Sequence, residues 1–234
     1  MEKADSDPPG SFYDERQQRI LETASRLIAH YGYDKTTVAD IAREAGISKG
    51  AIYLHYESKE KLFYALMIYE MERVVEDLLE RIEADPDSGS LGSLYSHSLL
   101  ALAANPLLRA LTTRNKRIIG DFMRFTNFPY ADAKVFSVEF IEHFQAAGLL
   151  RTDINPMMMI YLLSMIRYGL LMVDEILPAD YVQSLDAVGE VLPDVLERAF
   201  APPGGGNKEA GKQAIKQFVT ASRQMLQVMK EKKV

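Results

Sequence analysis

Between Thr37 and Phe63 the chain reads T-V-A-D-I-A-R-E-A-G-I-S-K-G-A-I-Y-L-H-Y-E-S-K-E-K-L-F. Ser48, Lys49, Gly50, Ala51, Tyr53 and His55 bring together small, cationic and polar-tipped aromatic side chains. That set suits non-covalent contact with a nucleic-acid groove, where cations and hydroxyls meet phosphates and small residues let backbone approach base edges. Gly50 near a helix start costs about 1 kcal/mol of helix propensity relative to alanine. Close approach to DNA accounts for that cost, and simple fraying is the alternative. Lys49 and Lys59 each follow a potential N-cap, Ser48 and Ser58, at the helix end whose dipole disfavours a cation. A phosphate would relieve the conflict; a solvated lysine would tolerate it.

Bond-making chemistry has no comparable support. The 234 residues include no cysteine, which excludes disulfides, thiolate zinc sites and a cysteine nucleophile. No serine lies in a nucleophile elbow and no glycine-rich phosphate loop follows a strand. His97 and His143 are isolated, without the spacing of a metal-ligand pair. The expectation is no enzyme activity, no cofactor and no metal. The polar N-terminus has no apolar signal region, so the expected location is cytoplasmic. The apolar run Met157 to Val173 carries Arg167 near its middle and reads as a buried core helix rather than a membrane contact.

The net charge of −6 is unevenly spread. From Tyr13 to Leu62, eight basic residues balance eight acidic ones; from Phe63 to Gly204, acids outnumber bases by nearly two to one. A polyanion is therefore tolerated at the N-terminal end and repelled by the middle.

The elements that must position the Thr37–Phe63 residues are helices. Ile20, Ala24, Leu27, Ile28 and Tyr31 recur at helical spacing and stop at Gly32. Thr37 with Asp40 forms a variant capping box for a second helix that ends at Gly46. Ser48 starts a short third helix to about Tyr56, and Ser58 a long fourth to about Ala84. Later helices are expected at 90–104, 106–125, 129–147, 156–177 and 180–200, with Asn105-Pro106 and Asn155-Pro156 as starts and Pro193 kinking the last helix or splitting it. No alternating strand pattern appears. The expected fold is all-α: a three-helix head with a helix-turn-helix, plus a larger helical bundle. The expected divisions are a disordered lead-in at 1–12, a DNA-binding domain at 13–60, a ligand-binding and dimerisation domain at 61–201, a linker at 202–207 and a basic amphipathic helix at 208–234. That last helix is expected to pack its apolar face on the acidic body, with a second DNA or membrane contact as the alternative.

The pattern T-V-x-x-I-A-x-x-A-G-I-S-K-G-x-I-Y-x-H-Y-x-S-K-E-x-L-F resembles the DNA-binding domain of the TetR family over roughly residues 15 to 65. The resemblance implies a homodimeric transcriptional repressor, its helices around 156–177 and 180–200 paired with their symmetry mates, on a palindromic operator with half-sites about 34–36 Å apart. It implies that Lys49, Gly50 and Ala51 face base edges while Thr37, Ser48, Tyr53, His55 and Lys59 hold phosphates of double-stranded DNA. It also implies a small-molecule effector in the body. Candidate lining residues there are Leu102, Leu111, Phe122, Phe125, Phe136, Phe140, Tyr161, Met165, Arg167 and Tyr168; each apolar one taken singly reads more readily as plain core, and the candidate is the group. Arg167, a cation amid apolar residues, needs an acceptor if buried: Asp121 or Glu139, a partner chain, or an acidic ligand. A DNA-bound structural or partner-recruiting protein without an effector is the alternative function.

Overall fold

The computed structural model describes residues 13–85, 88–122 and 137–231, and among these every regular element is helical. Four helices open the chain: α1 (Glu15–Tyr31), α2 (Val38–Ala45), α3 (Lys49–His55) and α4 (Lys59–Ala84). Their starts follow from side-chain caps. Asp14 and Gln17 form a capping box on α1, Thr37 and Asp40 one on α2, and Ser48 and Ser58 accept from the third backbone amide of α3 and α4.

The body contains α5 (Leu91–Ala104), α6 (Pro106–Thr112), α7 (Lys116–Ile119), α8 (Val138–Ala146), α9 (Pro156–Ile176), α10 (Leu185–Phe200) and α11 (Lys208–Glu231). Asn105 and Asn155 cap α6 and α9, each followed by proline at the first helical position, where its missing N–H costs nothing.

Three boundaries differ from the sequence expectation. The helix expected over 106–125 breaks after Thr112, because Arg114 takes a left-handed φ of 53° and Asn115 caps a new turn. The helix expected from 180 begins instead at Leu185, capped by Ser184, after a single 3-10 turn at Ala179–Tyr181. Pro193 lies inside α10, which runs unbroken through it. The expected lead-in at 1–12, and the parts of the expected helices at 123–125 and 129–136, lie outside the described residues.

Two apolar clusters hold the molecule together. One joins α1–α4 to α6 and α7 around Ile20, Phe63, Leu66 and Phe122, and takes in Leu226 and Met229 of α11. The other fills the body around Leu94, Phe144, Met159, Leu163 and Leu196. Long α4 contributes to both. The basic helix α11 lies along α4, where Lys230 pairs with Glu72 and stands 4.2 Å from the Tyr13 ring centre.

Helix α9, expected to be buried core, is buried along one row only, at Met159, Leu163 and Leu171. Met157, Met158, Tyr161, Met165, Tyr168 and Ile176 are exposed. By length and composition alone α9 is also long and apolar enough to cross a membrane.

Candidate nucleic-acid interface

The turn between α2 and α3 rests on Gly46, whose φ of 65° and ψ of 34° are left-handed. Its amide donates back to the α2 carbonyls, and the Ile47 amide donates to Ala42 O at 3.0 Å, so α2 closes as the chain reverses. Ser48 Oγ then accepts from the Ala51 amide at 3.1 Å and starts α3.

Helix α3 is anchored by Ile52, which is 1% exposed, and by Tyr56 just beyond its end. Burial of those two turns the other side outward. Ser48, Lys49, Gly50 and Tyr53 are exposed there, with Lys49 Nζ 5.7 Å from the Tyr53 ring centre. A Cβ at Gly50 would meet nothing within 4 Å in this chain, so its surface is open for approach. Ala51 and His55 are half-buried at the margins of the face.

Leu54, not among the sequence candidates, is 86% exposed on the same face, four residues beyond Gly50. The spacing of 49, 50, 53 and 54 was the signal for it, masked by the habit of reading leucine as core.

Thr37 is exposed at the start of α2. Its hydroxyl donates to Asp40 Oδ2 at 2.6 Å and accepts from the Asp40 amide at 3.1 Å, while Arg43 reaches Asp40 Oδ1 at 2.8 Å. The Thr37 hydroxyl and amide, then Arg43, hold the Asp40 carboxyl below the ordinary carboxylate range. Lys59 is less free than the others. Its ammonium donates to Tyr33 O at 2.6 Å and sits 4.0 Å from the Tyr33 ring centre, and burial lowers its pKa despite Asp34 and Glu60 nearby.

The head meets the body at the α1–α2 turn. Gly32 has a φ of 88°, and a Cβ there would lie 2.3 Å from the carbonyl oxygen of Arg117 on α7. The Tyr33 amide donates to Ile118 O at 2.8 Å and the Asp121 amide to Asp34 Oδ1 at 3.2 Å, while Phe63 and Phe122 stack edge-on with centres 4.2 Å apart.

A cavity of about 180 Å³ opens in the body among α4, α5, α9 and α11. Its walls are apolar, from Met71, Val74 and Leu78 to Leu99, Leu102, Phe218 and Met225, with Tyr95, Ser98, Ser222 and Arg167 as polar members. Burial raises the Tyr95 phenol to about 12, with Arg167 opposing that shift. Of the sequence-stated effector candidates, Leu102 and Arg167 line this cavity. Leu111 and Phe122 belong to the cluster shared with the head. Phe140 stacks on Phe144 and Phe218 beside a second groove, and Tyr161, Met165 and Tyr168 face outward. Phe125 and Phe136 lie outside the described residues. His97 Nε2 is 3.0 Å from Asp85 Oδ2, and no cluster of three potential metal ligands occurs among the described residues.

Residues 20–66 match the family profile "Bacterial regulatory proteins, tetR family". The chain is 44% identical over 71 residues to the uncharacterised HTH-type transcriptional regulator YerO of Bacillus subtilis, a match covering 27% of this chain and 25% of YerO. It is 32% identical over 116 residues to the HTH-type transcriptional repressor AcnR of Corynebacterium efficiens, covering 46% of this chain and 62% of AcnR. The chain thus spans less than two thirds of either relative. Its fold is similar to that of AibR, solved in complex with isovaleryl coenzyme A and operator DNA, with a TM-score of 0.54 and 22% identity over 77% of this chain and 97% of that one. Residues 20–66 thus carry a domain of the family of bacterial regulatory proteins named for TetR, within an all-helical fold similar to that of AibR.

Proposed function

We propose that this protein is a transcriptional repressor that binds a palindromic operator as a homodimer and leaves it when a small, largely apolar effector fills the body cavity. The carrying observation is the outward face of α3, where Ser48, Lys49, Gly50 and Tyr53 stand exposed on a helix fixed by the Gly46 turn. In this reading Lys49, Gly50 and Ala51 approach base edges, and Thr37, Ser48, Tyr53 and His55 hold phosphates. Lys59 serves first to tie α4 to Tyr33 and second as a phosphate partner. Leu54 adds an apolar contact suited to a thymine methyl.

The exposed apolar stripe of α9, with Val191 and Val195 exposed on α10, supports the homodimer. That stripe is covered by a second copy in this reading, and not by a membrane. Two-fold symmetry then sets the half-sites about one DNA turn apart. AcnR is named a repressor, and AibR is solved with isovaleryl coenzyme A and operator DNA, so binding of DNA and binding of a ligand each have precedent in similar proteins, while release by the ligand is this proposal's own step. The apolar cavity favours a sensor over a partner-recruiting body. The effector works by population shift, with a coupling commonly about 1–3 kcal/mol, or five- to 150-fold in operator affinity. We place the protein in the cytoplasm, as a non-enzyme without cofactor or metal, with 13–60 as its DNA-binding part, 61–201 as the sensing and dimerising part, 202–207 as linker and 208–234 as the added helix.

The test is binding of the full chain to duplexes from its own upstream region at low salt. Lys49→Ala and Tyr53→Ala should each lose about tenfold or more in affinity while melting at the wild-type temperature. Wild-type binding by both variants would remove α3 from the interface.

A further inference from the structure

We propose that the body cavity takes a small amphiphilic acid, with its carboxylate on Arg167 Nε and its apolar tail among the α4, α5 and α11 side chains. This rests on the cavity being the effector site.

Arg167 is half-buried, with its Nε inside the protomer. In a helix, residues four apart share a face. Met159, Leu163 and Leu171 are all at most 2% exposed, and Arg167 occupies the remaining position of that inward row. Tyr161 and Met165 lie on the other side of α9, and Tyr168, also exposed, has its ring centre 5.5 Å from the guanidinium carbon, so a partner chain seated on that stripe comes up to the outer edge of Arg167 while Nε itself is buried within the protomer.

The remaining polar groups of the cavity are committed. Tyr95 donates its hydroxyl to Leu163 O, Ser98 to Leu94 O at 2.7 Å, and Ser222 to Phe218 O at 2.9 Å. Arg167 Nε is buried and has no hydrogen-bond partner among the described residues. No Asp or Glu lines the cavity, so the guanidinium charge meets no counter-charge there. Arginine stays protonated at any accessible pH, and an unpaired buried donor of a charged group is costly. A carboxylate accepts from guanidinium N–H groups in matched geometry and neutralises the charge.

Size limits the tail. A cavity of roughly 150 Å³ lined by apolar side chains holds benzene, so about 180 Å³ accommodates a tail of about six to eight carbons. The commitment is to the acid: a neutral alcohol of the same length can accept from Nε but leaves the guanidinium charge uncompensated, and a cation would face the guanidinium.

The test is calorimetric titration of the full-length dimer at neutral pH with heptanoate, 1-heptanol and heptyltrimethylammonium. Heptanoate should bind about ten- to a hundredfold tighter than 1-heptanol, from the charge-assisted hydrogen bond, and the ammonium weakest. Arg167→Gln should bring heptanoate down to the 1-heptanol affinity without moving 1-heptanol, and Arg167→Lys should recover part of the difference. Leu102→Trp, which fills the cavity, should abolish binding of both and so fixes the site. Equal binding of acid and alcohol by the wild type, tighter binding of the ammonium, or an acid preference unchanged in Arg167→Gln overturns the inference while leaving an apolar effector site intact. Failure of all three probes to bind a protein that still shifts operator DNA overturns the effector reading itself.

Discussion

Leu226 tests whether the added helix α11 is part of the folded molecule. It is 4% exposed, belongs to the cluster shared with the head and lines the body cavity. Leu226→Ala removes about three methylene equivalents, worth roughly 0.8 kcal/mol each, or about 2.4 kcal/mol. Core leucine-to-alanine changes in general cost about 2–5 kcal/mol, the upper part coming from a newly created void. Here the removed atoms already border a cavity, so the lower half of that range applies and the expected loss is about 2–3 kcal/mol. For a chain of this size each kcal/mol lowers Tm by about 2–4 °C, giving a fall of about 5–10 °C. Val228 on the same helix is 48% exposed and supplies the control, since surface changes usually stay within about 0.5 kcal/mol. Melting and urea unfolding of the full chain should be compared at one fixed protomer concentration, because dimerisation makes Tm concentration-dependent. Equal melting temperatures for Leu226→Ala and Val228→Ala would refute the packing of α11 on α4.

Gly32→Ala should destabilise by about 1–3 kcal/mol from its backbone conformation alone, and further because its Cβ meets the Arg117 carbonyl; a melt matching wild type would show that the head–body junction is looser than described. Ser48→Ala should cost about 1 kcal/mol through loss of the α3 cap, and urea unfolding unchanged from wild type would argue against that cap. Asp40 has its carboxyl pKa lowered from 3.8, so its contribution to stability is complete above that value and lost as pH falls through the lower folded-state value. Asp40→Asn should flatten the acid limb of a stability-versus-pH profile, and an unaltered acid limb would count against the Thr37–Asp40–Arg43 arrangement.

Local chemistry was the legible part of this sequence. Thr37 with Asp40, Gly46, Ser48 and Ser58 each act within three or four residues of themselves, so their caps and turn could be read before any tertiary structure was known. The same holds for Asn105-Pro106 and Asn155-Pro156. The break at Arg114 was harder, because a non-glycine residue at φ 53° is held there by its surroundings. Asn115 was the available hint, being a good N-cap. Burial beyond a single helix was harder still. Periodicity marked α9 as apolar all round, and only the packing of α4, α5 and α8 decides that the row of Met159 faces inward while the row of Met165 faces out. Phe122 illustrates the same limit: apolar composition made it an effector candidate, and its contacts with Phe63 and Tyr33 place it in the head–body core.

Helix α11 joins two regions that a two-part division of the chain would separate. Phe218, Ser222, Met225 and Leu226 face the cavity, and Leu226 together with Met229, one turn further on, enters the cluster of α1–α4. Lys230 continues that line to Glu72 on α4 and Tyr13 beside α1. A rigid helix that packs at both places cannot shift at one without straining the other, because close-packed interiors do not deform continuously. If the protein is the effector-released repressor proposed above, occupancy of the cavity and the pose of the head are linked through α11 as well as through α4 and the Gly32 junction. Linkage is reciprocal, so operator DNA that fixes the head must change affinity at the cavity by the same factor that a ligand changes affinity for the operator. Deleting the chain after Gly204 would remove one wall of the cavity together with one brace of the head, and the two affinities should then uncouple together rather than one at a time.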